Sequence, residues 1–331
     1  MYFTVKQNDN GARRLKMGRD MGRYIAKRVL IAAVTLLAIT FLLFLLMDLL
    51  PGSPFNNEKL NEAQKALLEH KYGLDKPFFV RYWIYLTNLM HGDFGISYVI
   101  AVDQPVSNMM VTRLPITIRM GVQAMLIGVV VGLVLGIIAA LKKNTWIDTV
   151  ATVCSVIGFS VPAYVFALFL VFFAAFKMGW FPIRFAIDQP VFSSILPTLS
   201  LAAYIIATMA RYARSEMIEC LGSDYIILAK AKGINERKVI VRHALRNTLV
   251  PIITVLSPLM IGLITGSVVV EQIFGVPGLG QMLLSGVQNN DYNVIMAVAL
   301  VYSFLYIVIM LVVDVLYGLI DPRIRVSGGK A

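Results

Sequence analysis

Six stretches of this chain are apolar for long enough to cross a lipid bilayer, and that rules out most folds at once. A spanning helix needs about 20 predominantly apolar residues. In hydrocarbon every backbone amide and carbonyl must also find its partner inside the protein, which leaves helices or closed barrels as the spanning structures. Val29 to Leu50, Ile116 to Leu141, Ile147 to Phe176, Leu196 to Ala213, Leu249 to Val270 and Val294 to Ile320 satisfy the length requirement as helices. The rest of the composition agrees, because 58% hydrophobic and 15% charged residues leave too little polar surface to cover a water-soluble globule. The predicted fold class is therefore all-α transmembrane, with six spans and both termini on one side.

The formal net charge of +11 is read by location. Lys and Arg crowd the arm 1–28, the turn at Lys142 and Lys143, the connection from Arg211 to Arg246, and the tail at Arg323 and Arg325. None falls between Glu271 and Asn293. Such an asymmetry places both termini in the cytoplasm by the positive-inside rule, and it gives no reason to invoke nucleic acid. The first apolar stretch reads as a retained helix: it is longer than a signal h-region and ends in DLLPGSPF without a small-residue cleavage pattern.

Soluble-enzyme chemistry finds no foothold. Cys154 and Cys220 give neither a disulfide framework nor metal-ligand spacing and read as packing residues. His70, His91 and His243 form no HExxH, and the chain carries no GxxxxGK[ST] and no GxGxxG. No catalytic residue, metal site or bound nucleotide is therefore expected in this chain.

Between the first two spans, Leu60, Ala63, Leu67 and Leu68 recur at helical spacing until Gly73 stops the pattern. Phe78 to Met90, bounded by Pro77 and Gly92, is aromatic and too short to span. It should lie at the bilayer interface, with Tyr82, Trp83 and Tyr85 keeping one edge apolar and one wet. It can serve as a lid over the span ends or as a contact for substrate delivery.

A different polar insertion, SDYIILAKAKGINERKVIVRHALRNTLVP from Ser223 to Pro251, separates the fourth and fifth spans. Ser223 can cap a first helix with its hydroxyl, Asp224 suits the positive helix N-terminus, and Lys230 and Lys232 suit its last turn. Gly233 supplies the left-handed residue that ends it. A helix of about ten residues is marginal alone in water, so these signals imply a packing partner. Tyr225, Leu228, Ala229 and Lys232 define one face at i, i+3, i+4 and i+7. Asn235 can cap a second helix with Val241, Ala244, Leu245 and Thr248 on one side and a basic stripe of Lys238, Arg242 and Arg246 on the other. The stripe suits anionic headgroups as well as a protein partner; the small Ala229 and Ala231 favour a close-approaching protein.

AKAKGINERKVIVRHALRNTLVP closely resembles the EAA loop of the inner-membrane permease subunits of ABC importers. PGSPF at Pro51 to Phe55, YGLDKPF at Tyr72 to Phe78, HGDFG at His91 to Gly95, GSVVVEQIFGVPGLGQ at Gly266 to Gln281 and DVLYGLIDPRIR at Asp314 to Arg325 resemble the oligopeptide/dipeptide branch of that family. The resemblance runs from about Arg23 to Arg325. It departs from the generic pattern where Ile227, Leu228 and Ala229 stand in place of Glu-Ala-Ala.

The resemblance implies a type I importer permease of a bacterial inner or plasma membrane. Its regions would be a basic arm (1–28), a first helix with an external segment (29–115), a five-helix core (116–320) containing the coupling loop (211–248), and a tail (321–331). It implies no catalytic step in this chain. ATP and Mg would be bound by two partner ATPase subunits gripping Tyr225, Leu228, Ala229, Lys230, Ala231, Lys232, Gly233 and Arg237. A homologous second permease and an extracytoplasmic peptide-binding protein would complete a machine that imports oligopeptides; dipeptides or nickel chelates are the rivals within the family. For the translocation path the candidates are Pro162 and Pro258, which can open helices, Glu271, which leaves the fifth span on the outside, and Asp314 within the last span. Glu271 can bind a peptide amine or cap the loop after it, while Asp48, Asp314 and Arg119 stand near enough to span ends to reach water.

Overall fold

The computed structural model describes the backbone of residues 5–49 and 62–320; side-chain surroundings are described from residue 26, apart from scattered positions within 250–266 and from 314–320. The chain divides into two compact units, Met1–Leu50 with Leu300–Ala331, and Pro51–Ala299. The first unit holds α1 (Val5–Leu49) and the C-terminal part of the last helix. The basic arm, from Val5 onward, is the N-terminal part of that same 45-residue helix. Within its apolar stretch, the hydroxyls of Thr35 and Thr40 donate to the carbonyls of Ile31 and Leu36 at 2.8 and 2.7 Å, so neither donor meets lipid unpaired.

The second unit begins with α2 (Glu62–Lys71) and α3 (Phe78–Met90), followed by the long α4 (Val106–Leu141) and α5 (Trp146–Ser160). Then come α6 (Ala163–Leu170), continued by a π-helical stretch Val171–Lys177, a single turn α7 (Pro190–Ser193) and α8 (Ile195–Leu221). Two short elements, α9 (Asp224–Ala231) and α10 (Glu236–Lys238), lead through a second π-helical stretch, Val239–Ala244, into α11 (Leu245–Phe274). The order closes with α12 (Leu279–Gln288) and α13 (Tyr292–Ile320).

Among the described residues, Ala26–Leu49, Val106–Leu141, Pro190–Leu221 and Tyr292–Val313 are long and apolar enough to cross a membrane, and two bent pairs bring the number to as many as 6. One pair corrects the sequence reading. The third apolar stretch, expected as one span from Ile147 to Phe176, bends by 105° between α5 and α6. The reason is Pro162, whose ring disfavours helical geometry at Val161, and Val161 is extended at φ −85°, ψ 120°. Pro258, which could have opened α11 in the same way, lies exposed within a helix that stays continuous.

The second unit is assembled around α8, and its most extensive contact is with α4. Ala124, Gly128, Gly132, Gly136 and Ala140 recur every four residues on α4 and are all buried. A Cβ on Gly132 would lie 2.5 Å from the Cβ of Met209 and 2.8 Å from the Ile206 carbonyl oxygen, so the backbones approach as closely as only glycine permits. Lipid tails are as apolar as leucine; close van der Waals packing holds such helices together. Many large apolar side chains, such as Val130, Val134, Phe169 and Phe176, accordingly face outward. Cys154 does the same, against the expectation that it packs inside; Cys220 is buried as expected.

The segment before α4 is held by short-range polar ties. Gly73 takes φ +68° beyond α2 and ends it as predicted. Asp103 accepts from the Lys71 ammonium at 3.0 Å and from the Tyr72 hydroxyl at 2.8 Å. These bonds, the Lys71 ammonium first, hold the Asp103 carboxyl below the ordinary range, and Asp103 in turn raises Lys71. The buried Asp291 carboxylate accepts from the Ser97 hydroxyl at 2.6 Å and from the amides of Tyr98, Val99 and Ile100 at 3.0–3.2 Å, pinning the 97–100 turn to the α12–α13 connection. In α3, Trp83 is exposed but Tyr85 is buried, and burial pushes its phenol upward. The wet edge expected there for all three aromatics is therefore absent at Tyr85.

Candidate functional site

The polar connection from α8 to α11 folds as two short helical pieces on a small apolar floor. Ile226, Ala229, Val239 and Ala244 are buried against Ala140, Met217 and Cys220. α9 ends as the sequence predicts. Gly233 adopts φ +73°, its amide donates to the Lys230 carbonyl at 2.9 Å, and the Ile234 amide reaches back to the Ala229 carbonyl at 3.3 Å. This paired closure is a Schellman motif, in which the left-handed residue turns the chain so that two terminal carbonyls are satisfied. Asn235 caps the next turn through its side-chain oxygen, which accepts from the Arg237 amide at 2.9 Å.

Three local expectations are corrected here. Ser223 stands at the N-cap of α9 with extended geometry, but its hydroxyl donates to the Cys220 carbonyl at 2.5 Å instead of receiving an α9 amide. The same carbonyl also accepts the Ser223 amide at 3.1 Å, so the hydroxyl folds back onto the end of α8. Ala229 does not share the outer face with Tyr225 and Leu228; it is 6% exposed beside Ile226, because those two positions form the stripe that covers the floor. Val241 is 64% exposed, and Val239 takes the buried place expected for it. The physical reason is the π-helical stretch Val239–Ala244, whose wider turn shifts the register relative to a 3.6-residue helix.

The outer surface that results is mixed. Tyr225, Ile227, Leu228, Lys230, Ala231 and Lys232 are exposed on α9, Gly233 and Arg237 are exposed after it, and Lys238, Arg242 and Arg246 are exposed further on. Ile227 and Leu228 present apolar area at 57% and 56% exposure among these cations. A short helix that spends its buried face on its own protein and still shows two large aliphatic side chains has the anatomy of a docking surface, apolar in the middle and charged at the rim. Near its base, Asp148 accepts a fork from Arg214, 2.5 Å to Nε and 2.8 Å to Nη2, and also the Asn144 amide at 3.0 Å. This pair joins the α4–α5 turn to α8. Sequence reasoning missed it because the partners lie 66 positions apart.

At the other end of α11, roughly 45 Å away along a 30-residue helix, the chain turns by 85° into α12. Glu271 sits inside this turn with no exposure. Its carboxylate accepts from the Thr117 hydroxyl at 2.8 Å and from the amides of Gly280 and Gln281 at 2.7 and 3.1 Å. Thr117 in turn accepts the Leu279 amide at 2.9 Å. Three of the four orphan donors of α12 are thereby satisfied, two by an acid placed at the positive end of the helix dipole and one by Thr117. Gly278 and Gly280 make the approach possible, since a Cβ on Gly278 would collide with the Glu271 carboxylate and one on Gly280 would lie 2.5 Å from the Cα of Val268.

Of the two readings open for Glu271, the structure realises the cap: both of its oxygens bond to α4 and α12. Pro162 marks the break between α5 and α6, and Asp314 falls on α13 with its side chain outside the described residues. Arg119 stands 13 residues into α4 and is exposed. It lines a cavity of about 390 Å³ together with Arg113, which carried no signal in the sequence.

Residues 132–326 match the family described as the binding-protein-dependent transport system inner membrane component, and residues 21–121 match its N-terminal companion. The chain is 41% identical to the dipeptide transport system permease of Lactococcus lactis subsp. cremoris (strain MG1363) over 92% of this chain and 100% of that one. It is 42% identical to the dipeptide permease of Bacillus subtilis (strain 168), over 92% and 98%. It is 39% identical to the oligopeptide transport system permease of Haemophilus influenzae (strain ATCC 51907 / DSM 11121 / KW20 / Rd), over 92% and 100%. Among solved structures, the MetNI methionine ABC transporter in inward-facing conformations aligns with a TM-score of 0.52 at 17% identity, covering 64% of this chain and 96% of that one. At that identity the likeness speaks for the fold.

Proposed function

Because the chain belongs to the binding-protein-dependent transport system inner membrane component family, we propose that it is the membrane-spanning permease subunit of an ABC importer for oligopeptides. It is a multi-pass inner-membrane protein, and ATPase and binding-protein partners come with the family. The finer assignments are our reading. A homologous second permease completes the pathway, two ATPase subunits bind ATP and Mg and dock on the α8–α11 connection, and this chain contributes no nucleotide site. That connection then faces the cytoplasm, together with both termini. A peptide-binding protein delivers substrate to the opposite face.

The observation that carries the coupling role is α9 itself. Its inner face is anchored on α8 and on the end of α4, while Ile227 and Leu228 stand out among Lys230, Lys232 and Arg237. A push on α9 is thus passed directly into two spanning helices. Rigid transmission needs a defined α9 end, and Gly233 provides it. A dipeptide substrate is the second reading, favoured by the dipeptide permeases at 41% and 42% identity.

The test is peptide-stimulated ATP hydrolysis and uptake by the reconstituted complex. Replacing Gly233 by Val puts a β-branched residue in the left-handed region at about 1–2 kcal/mol, whereas Asn tolerates it. No atom lies within 4 Å of the added Cβ, so the effect is on backbone conformation alone. Gly233→Val should uncouple hydrolysis from uptake and Gly233→Asn should restore coupling. Full coupling in the Val variant would remove α9 from the mechanism.

A further inference from the structure

We propose that the cavity beside the N-terminal half of α4 is a carboxylate-binding site that receives the C-terminal carboxylate of the peptide in transit. The proposal rests on the peptide-import reading above and assigns that reading a place in the chain.

The cavity is about 390 Å³ and is lined by Arg113 and Arg119, by the hydroxyl-bearing Thr112 and Ser194, and by apolar walls that include Phe185 and Ile187. No Asp or Glu lines it. Among the described residues neither guanidinium makes a hydrogen bond or an ion pair. The acid whose charge acts on Arg113 is Glu271, and both of its oxygens are already engaged by Thr117, Gly280 and Gln281. Two guanidiniums lining one cavity with no carboxylate among its walls favour an anionic ligand. Arg113 is half-buried and Arg119 exposed, and they are six residues apart on one helix. That spacing is about 9 Å along the axis, and both side chains line the same cavity.

Guanidinium presents a planar pair of donors that matches a carboxylate bidentately. The volume falls within the range of about 300–1,000 Å³ typical of small-ligand sites, room for the end of a peptide. Phe185 and Ile187 suit the side chain of its last residue, and Thr112 and Ser194 can bond its amide. A free carboxylate is the anion that every unmodified peptide carries whatever its sequence. A site built on it serves a transporter that must accept many sequences.

The test uses the whole transporter, co-expressed with its partner subunits and reconstituted in phosphatidylcholine vesicles. ATP-driven uptake is measured for one tripeptide in two forms, the free acid and the C-terminal amide, and each variant is compared with wild type form by form. Arg113→Met and Arg119→Met should each raise KM for the acid about tenfold to a hundredfold and leave the amide unchanged. Arg113→Lys and Arg119→Lys should recover part of the loss. Calorimetric binding of the acid to the complex without its binding protein should weaken by the same factor.

Equal losses for both forms, or acid binding that survives both Met substitutions, would overturn the site. A wild-type dependence on added phosphatidylglycerol that vanishes in the Met variants would overturn it in favour of a lipid phosphate. Wild-type uptake of neither form would sink the importer reading itself, whereas wild-type uptake with undiminished variants sinks only this site.

Discussion

Replacing Glu271 separates an acid that builds the α11–α12 turn from one that waits for substrate. Glu271→Ala leaves the amides of Gly280 and Gln281 and the Thr117 hydroxyl without their acceptor in a place with no exposure. A buried group left unsatisfied costs about 1–3 kcal/mol; for the two amides together that is about 2–6 kcal/mol before any relaxation. Glu271→Gln behaves differently. Its amide oxygen can take the position of the oxygen that both amides address, and its NH2 can donate to Thr117, which still accepts from Leu279. What is lost is the charge assistance at the helix N-terminus, about 0.3–2 kcal/mol. Stability of the complex in lipid nanodiscs, followed by denaturant midpoint, should therefore fall strongly for Ala and slightly for Gln. A double-mutant cycle with Thr117→Val should show coupling of about 0.5–3 kcal/mol, because the two side chains share one network. If Ala and Gln were equally harmless, or if Gln abolished uptake without affecting stability, the carboxylate would be acting on substrate and the capping argument would fail.

Gly132→Ala should loosen or block assembly of α4 on α8 at an overpacking cost of about 1–3 kcal/mol, seen as reduced yield of the complex; Gly121→Ala, with nothing within 4 Å of its Cβ, should be neutral. Equal yields would mean that the α4–α8 approach is looser than the described packing. The Lys71–Asp103 tie should be insensitive to pH over the physiological range. The lowered Asp103 group lends stability above its unfolded value, lost as pH falls through its folded one; the raised Lys71 group lends stability below its unfolded value, lost as pH rises through its folded one. Protease access to the 97–105 loop should thus rise only below about pH 4 or above about pH 10.4. A transition near pH 7 would point to a group outside this tie.

Much of this molecule was legible because its solvent imposes a simple rule. Backbone groups must be satisfied within an apolar segment, so apolar length reported the helices, and Gly73, Gly233 and Asn235 reported where local elements end or begin. The failures were of another kind. The 105° break at Pro162 could be suspected but not sized, since a proline bends or ends a helix according to what packs around it. Pro258 shows the contrast by leaving α11 continuous. Ala229 was placed on the wrong face because α9 turns it with Ile226 onto the apolar floor, and Val241 because the Val239–Ala244 stretch winds at a different period from the one assumed. The four-residue glycine stripe of α4 went unread, because its meaning lies in the close approach of α8.

The sequence by itself determined that the chain lives in a membrane as a set of helices, where its basic connection lies, and which family motifs it carries in order. The tertiary structure alone decided that Glu271 caps α12 and meets Thr117 of α4, that Asp291 holds the 97–100 turn, and that Arg113 and Arg119 share a cavity without an acid. Local signals of period and capping act within a few residues along the chain. A buried charge finds its partners across 154 to 194 positions, and only packing settles which ones it meets.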